Sequence, residues 1–199
     1  MIGSRWTLAP VTIVAIVAAV ATRWIAAPTP APQDYAQTIA AQREAMKRFA
    51  FLDGAWRGPA STLLPNGEKH ALTQTERVGP LLDGSIRVVE GRGYEPDGKT
   101  GFNALGVISY EPAGKVYKMR SYAQGRVGDF VVTPTPDGFS WEIPAGPATI
   151  RYTAALRDGE WHEVGDRIVQ GQPPMRFFEM TLKRIGDTDW PAGTPVGPQ

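Results

Sequence analysis

Gly138-Phe139-Ser140-Trp141-Glu142-Ile143-Pro144-Ala145-Gly146-Pro147-Ala148-Thr149-Ile150-Arg151-Tyr152-Thr153-Ala154-Ala155-Leu156-Arg157-Asp158-Gly159 holds two runs in which apolar residues recur at every second position, separated by one turn. In the first, Phe139, Trp141 and Ile143 alternate with Ser140 and Glu142. In the second, Ile150, Tyr152, Ala154 and Leu156 alternate with Arg151, Thr153, Ala155 and Arg157. Successive side chains of a strand point to opposite faces, so each run has one apolar face and one largely polar face. The Pro144 to Pro147 cluster supplies the reversal between the runs, and Asp158-Gly159 supplies the next, because Asp and Gly tolerate the left-handed backbone of two-residue hairpins. The stretch predicts an antiparallel pair with an aromatic inner face.

The same pattern extends in both directions. From Gly54 onward the period stays at two, and turn signals fall at Pro65-Asn66-Gly67, Pro80 to Gly84, Pro96-Asp97-Gly98, Pro112-Ala113-Gly114, Ala123 to Gly128, Pro136-Asp137-Gly138 and Gly171 to Pro174. They cut the chain into about ten strands of roughly 5 to 10 residues, with no helical segment long enough for a parallel crossover. The expected fold class is all-β: an antiparallel up-and-down barrel of about ten strands, since closure removes the exposed edges that a sheet of this size would carry. A two-sheet sandwich is the alternative. The 22 Gly and 18 Pro of the 199 residues are spread among these turns. With 21 basic against 20 acidic residues the chain lacks the positive excess that binds nucleic acid, and with no cysteine it has no disulfide, thiolate metal site or cysteine nucleophile.

On the last strand Phe178, Met180 and Leu182 share the face assigned to the interior. Arg176, Glu179, Thr181 and Lys183 occupy or border the other, and Phe177 breaks the alternation. Phe102 to Tyr110 is apolar on both faces and predicts an outer cover. The segment from 34 to 48 is the candidate: Asp34 and Gln37 make a capping-box-like start, and Ala36, Ile39, Ala40, Met46 and Ala50 approximate helical spacing.

Residues Thr7 to Thr22 are uncharged and mostly Ala, Val and Ile, after a start whose one charge is Arg5. This is the layout of a signal peptide, with Ala19-Val20-Ala21 as the small-x-small cleavage pattern; sixteen helical residues reach about 24 Å, short of a hydrocarbon core. Retention as a membrane anchor, extended by Trp24 to Ala27, is the alternative. Both predict a periplasmic or otherwise extracytoplasmic domain, secreted or held at the inner membrane. The expected organisation is a signal or anchor over 1–27, a Pro-rich linker over 28–33, an amphipathic helix over 34–50, the barrel over 51–186 and a tail over 187–199 in which Trp190 folds back on the barrel.

Gly54-Ala55-Trp56, at the entry to the first strand, resembles the Gly-x-Trp signature of lipocalin-like (calycin) barrels. The resemblance implies that Trp56 packs under the barrel floor and that a basic residue near the end of the last strand, Arg184 or failing that Lys183, lies across it. Through Gly101 to Gly106, Met119 to Tyr122 and Phe177 to Met180, most of residues 46–191 are similar to a bacterial lipocalin-like family catalogued as a domain of unknown function. More distantly, Gly54-Ala55-Trp56-Arg57-Gly58 resembles the start of the haem-binding nitrobindin barrels. Those use a proximal histidine, and neither His70 nor His162 stands in a matching motif, so no cofactor is expected.

Arg120 and Tyr122, two apart on one strand, share a face. The pair resembles the Arg-x-Tyr couple with which fatty-acid-binding barrels grip a carboxylate, although it lies near the fifth strand instead of the last. The opposite phase points Tyr117, Met119 and Ser121 inward and leaves Arg120 in solvent. Trp141, Tyr152, Phe178 and Met180 are the expected lining of an apolar cavity, or of a filled core. Glu90, Glu163, Arg167 and Glu179 interrupt apolar strands and form either a buried cluster with Arg120 or an outer charged face. His162 lacks a second metal ligand at suitable spacing, and no metal site is expected. Three functions follow: a carrier of a small apolar or amphipathic ligand, an envelope-anchored structural or interaction module, and an enzyme acting on a barrel-bound molecule. The enzyme lacks a nameable nucleophile or acid-base pair.

Overall fold

The computed structural model describes residues 34–193. The expected signal or anchor, the linker and the last six residues lie outside them. Among the described residues no helix is long and apolar enough to cross a membrane.

Ten antiparallel strands close into a barrel: β1 (Gly54–Leu63), β2 (Lys69–Leu81), β3 (Ile86–Tyr94), β4 (Thr100–Glu111), β5 (Val116–Ala123), β6 (Arg126–Thr135), β7 (Gly138–Ala145), β8 (Ala148–Arg157), β9 (Glu160–Val169) and β10 (Met175–Gly186). Each strand pairs with its sequence neighbours, and β1 with β10 completes the ring. Nine short turns therefore suffice. At the turn joining β8 to β9, Asp158 (φ 53°) and Gly159 (φ 78°) are both left-handed, as that sequence predicts. Strand β2 continues through Pro80, read in sequence as the start of a turn. The reversal is made instead by Leu82, Asp83 and Gly84, and Pro80 is tolerated close to the strand end.

Helix α1 (Tyr35–Met46) starts where Asp34 Oδ1 accepts the Gln37 amide at 3.1 Å, satisfying one of the unpaired amides of the first turn. It passes directly into a 3-10 segment, Lys47–Leu52. Three residues per turn superimpose side chains at i and i+3, and Met46, Phe49 and Leu52 are accordingly all buried on one face. Phe49 meets Tyr117 and Phe139 edge-on, at 5.2 and 5.5 Å between ring centroids. The segment is thus a plug in one end of the barrel, with Tyr117 Oη donating to the Ala45 carbonyl at 3.0 Å. This corrects two expectations. The α1 face carrying Ile39 stays exposed, and α1 braces the closed rim near Tyr110, to whose carbonyl Gln42 donates, instead of covering the outer side of β4. Leu105 and Val107 on that side remain partly exposed.

Trp56 forms the floor above the plug. Its Nε1 donates to the Leu52 carbonyl at 2.8 Å, and its ring meets Trp161 edge-on at 5.9 Å. Arg184 is the register partner of Trp56 and donates from Nε and Nη2 to the Asp53 carbonyl, both at 3.2 Å, across the β1–β10 seam. A Cβ on Gly54 would lie 2.7 Å from Arg184 Nε, and its φ of 132° is itself open chiefly to glycine. The Gly54, Trp56 and Arg184 set is therefore a closure at the floor. Beside it the buried Arg87 Nε lies 2.8 Å from Asp53 Oδ1. Burial pushes the Asp53 carboxyl up and the Arg87 charge offsets part of that. Trp190 folds back along the outside, with the Arg77 guanidinium 4.3 Å from its ring centroid.

Candidate functional site

Above the Trp56–Trp161 floor the interior is not filled. A cavity of about 450 Å³ runs toward the opposite end of the barrel, where Leu64, His70, Gly101, Phe102, Ala123 and Phe177 surround its mouth. That volume lies in the range of about 300–1,000 Å³ usual for small-molecule sites.

One wall is an aromatic ladder across β7, β8 and β10. Phe139 stacks on Trp141 (5.7 Å, 21°), Trp141 on Tyr152 (4.9 Å, 13°), and Tyr152 meets Phe177 and Phe178 edge-on at 6.0 and 5.9 Å. Cross-strand register places Trp141 opposite Tyr152, and Tyr152 opposite Gly165. A Cβ at Gly165 would come within 2.9 Å of Tyr152 Cε1 and 3.0 Å of Phe178 Cβ, so the glycine makes room for the rings. Phe177, the exception to the alternation, reaches the cavity together with Phe178 because a bulge between Arg176 and Phe178 breaks the register with β9. Met180 lies deeper on the same strand, opposite Ala60 in the β1–β10 register, and shares the cavity lining with Met119 and Ile108. Trp141, Tyr152, Phe178 and Met180 therefore meet at one cavity.

Arg120 and Tyr122 do not join them. The inward phase of β5 belongs to Met119 and Ser121, which line the cavity. Arg120, with 54% of its side chain exposed, instead donates on the outer face to the Tyr122 hydroxyl at 3.0 Å and to both Asp129 carboxylate oxygens at 3.0 and 3.2 Å. The expectation of an inward Arg-x-Tyr clamp is thereby corrected. The apolar Met119 occupies the interior position, facing the space above Gly106, while the guanidinium finds solvent and a carboxylate outside. The proposed polar cluster is likewise dispersed. Glu90 binds Arg77 and Arg92 on the outside, and Glu179 binds Lys69 there. Arg167 is exposed near the end of β9, and His162 sits outside beside Thr181.

Glu163 is the member of that cluster that turns inward, and the sequence reading missed its counterpart, Glu76. Both are 8% exposed and both line the cavity. Glu76, the register partner of Trp56 and of Gly91, lies so close over Gly91 that a Cβ there would be 2.5 Å from Oε1. Gln74 Nε2 donates to Glu76 Oε1 at 2.7 Å. Glu163 stands two residues beyond Trp161 on the same phase of β9, so both carboxyls rise just above the floor. Glu163 has no ion pair among the described residues, and the buried Trp161 N–H nearby favours its charged form without meeting full hydrogen-bond geometry. Among the described residues no Lys or Arg lines the cavity; His70, 3.0 Å from Glu95 Oε2, stands at its mouth.

Burial therefore governs both acids. Loss of solvent pushes Glu163 up to about 8, with the Glu76 charge adding to the shift and the nearby Trp161 N–H opposing it. Loss of solvent pushes Glu76 up to about 7, opposed by the Gln74 hydrogen bond and increased by the charge of Glu90. Tyr152 rises to about 12, again chiefly from burial and then from the Glu163 charge. At neutral pH the cavity is an aromatic slot whose deep end holds one carboxyl, Glu163, mostly protonated and a second, Glu76, partly so.

Similar architecture occurs in solved structures. Rv2717c from M. tuberculosis superposes with a TM-score of 0.53 at 13% identity, over 70% of this chain and 96% of that one. The S-type phycobiliprotein lyase CPES from Guillardia theta gives 0.48 at 13% identity, over 79% of this chain and all of that one. At these identities the likeness to Rv2717c is one of fold. No family model and no curated protein matches the sequence.

Proposed function

We propose that this protein is an exported lipocalin-like carrier that binds a small apolar or amphipathic molecule inside its barrel. The observation that carries the reading is the aromatic cavity itself. Ten strands enclose more space than the eight whose interior side chains just fill, and glycines at 91, 106 and 165 let Glu76, Met119 and the Tyr152 and Phe178 side chains lie close against the wall around a cavity of about 450 Å³. Burial of apolar ligand surface against Trp141, Tyr152 and Phe178 would contribute about 25 cal/mol per Å² removed from water. Export rests on the hydrophobic run Thr7 to Thr22 and its Ala19-Val20-Ala21 pattern.

Native mass spectrometry of gently purified protein, with organic extraction of any bound molecule, tests the carrier role. A retained ligand, or saturable binding of a neutral apolar fluorophore that quenches the tryptophans, is expected. Repeated recovery of ligand-free protein that takes up no fluorophore would overturn it. N-terminal sequencing of the host-produced protein tests export: a mature chain beginning soon after Ala21 or Ala27, or an intact chain in the membrane fraction, is expected. An intact chain in the cytosol would refute it.

A further inference from the structure

We infer that the cavity selects ligands carrying a basic nitrogen at one end of an apolar body, with Glu163 and Glu76 together receiving the cation above the Trp56–Trp161 floor. The inference rests on the carrier reading and names the ligand class for the same site. Two carboxyls in one cavity are a costly arrangement unless something pairs with them, because a buried carboxylate without a counter-charge is strongly disfavoured. The protein supplies no such partner. Gln74 gives Glu76 one neutral hydrogen bond, Glu163 has only the neutral Trp161 N–H close by, and Arg77 and Arg92, on the same two strands as Glu76 and Gly91, are committed to Glu90 on the other side of the sheet. The remaining titratable groups facing the pair are Tyr152 on β8 and, at the mouth, His70 with Glu95; β1, β3 and β10 present Trp56, Ala60, Gly91 and Met180.

An ammonium entering between the two acids supplies the missing counter-charge, while its apolar body lies along Trp141, Tyr152 and Phe178. An anionic ligand meets like charge, and a neutral one gains only the aromatic wall. The chemistry also fixes a pH dependence. Below the range in which the carboxyls ionise the cavity is neutral, and as pH rises each lost proton strengthens attraction for a cation. Affinity for a permanently protonated ligand therefore rises with pH, and affinity for a neutral ligand of the same shape stays level.

The test uses the purified protein as its host produces it and three fluorescent probes of one size: naphthylethylamine, which stays an ammonium to about pH 8, neutral propylnaphthalene, and naphthylacetate. The expected order is amine over neutral over anion, with amine affinity rising about tenfold or more from pH 5 to pH 8. Glu163→Gln with Glu76→Gln should lower amine affinity at pH 8 by about thirtyfold or more, abolish the preference for the amine over propylnaphthalene and flatten the pH profile. Should the double variant fail to fold, Glu163→Gln alone and the wild-type pH profile decide. Equal, pH-independent binding of amine and neutral probe would overturn the cation inference and leave the carrier reading standing. Absence of binding by all three overturns both.

Discussion

Replacing Glu163 by Gln should make the protein more stable, by an amount that grows with pH. A carboxyl whose folded-state pKa exceeds its unfolded value holds more protons when folded, so stability falls as pH rises from the unfolded value toward the folded one. For Glu163 that window runs from 4.5 to about 8. Over it the wild type loses stability that Glu163→Gln retains, since the amide has the shape of the protonated acid and never ionises. At 1.36 kcal/mol per pH unit the difference reaches about 3 kcal/mol at pH 7 and about 5 kcal/mol at pH 9, upper values because water entering the cavity relieves part of the burial. For a domain of this length 3 kcal/mol corresponds to roughly 6–12 °C in midpoint. Urea denaturation at pH 4.5, 7 and 9, followed by tryptophan fluorescence, gives the comparison directly. The two proteins should differ by less than about 1 kcal/mol at pH 4.5 and diverge above it. A difference that stays constant across the three conditions would refute the buried, unpartnered state assigned to this carboxyl.

Other consequences are open to simpler checks. Arg120→Met removes an outer-face ion pair, so probe binding should be unchanged and stability should move by no more than about 0.5 kcal/mol in a melt; loss of binding would restore an inward role for the pair. Gly165→Ala drives a methyl against Tyr152 and Phe178, which should cost about 1–3 kcal/mol by urea titration and weaken binding of propylnaphthalene. Phe49→Ala empties the plug and should cost about 3–5 kcal/mol, measured the same way; a cost below 1 kcal/mol would contradict its place in the closed end.

The strands were legible because each turn carries its own chemistry and each hairpin is local. Phe139, Trp141, Tyr152, Phe178 and Met180 could be phased for the same reason: large apolar residues alternate with polar ones. Legibility ended where the inner face is polar or the outer face apolar. On β2 the inward residues include His70, Gln74 and Glu76, so the run Gln74-Thr75-Glu76-Arg77 reads as solvated, and only Leu72 and Val78, six residues apart, mark the phase. On β5 Arg120 and Tyr122 share a face as readily as Met119 and Ser121 do, and the decision lies with Asp129 across the register, six residues and a turn beyond Ala123. The plug escaped a search for α-helical spacing because Met46, Phe49 and Leu52 follow a period of three. Phe177 needed a bulge that alternation does not announce.

The central claim is that small apolar molecules enter the barrel, and methyl-resolved NMR during titration with propylnaphthalene tests it most directly. Met119, Met180, Ala104 and Ile143 methyls face the cavity, whereas Val127 and Val131 stand more than half exposed on the outside of β6. Saturable shifts confined to the first group are predicted. Shifts confined to Val127 and Val131, or no shift at any concentration, would contradict an interior site.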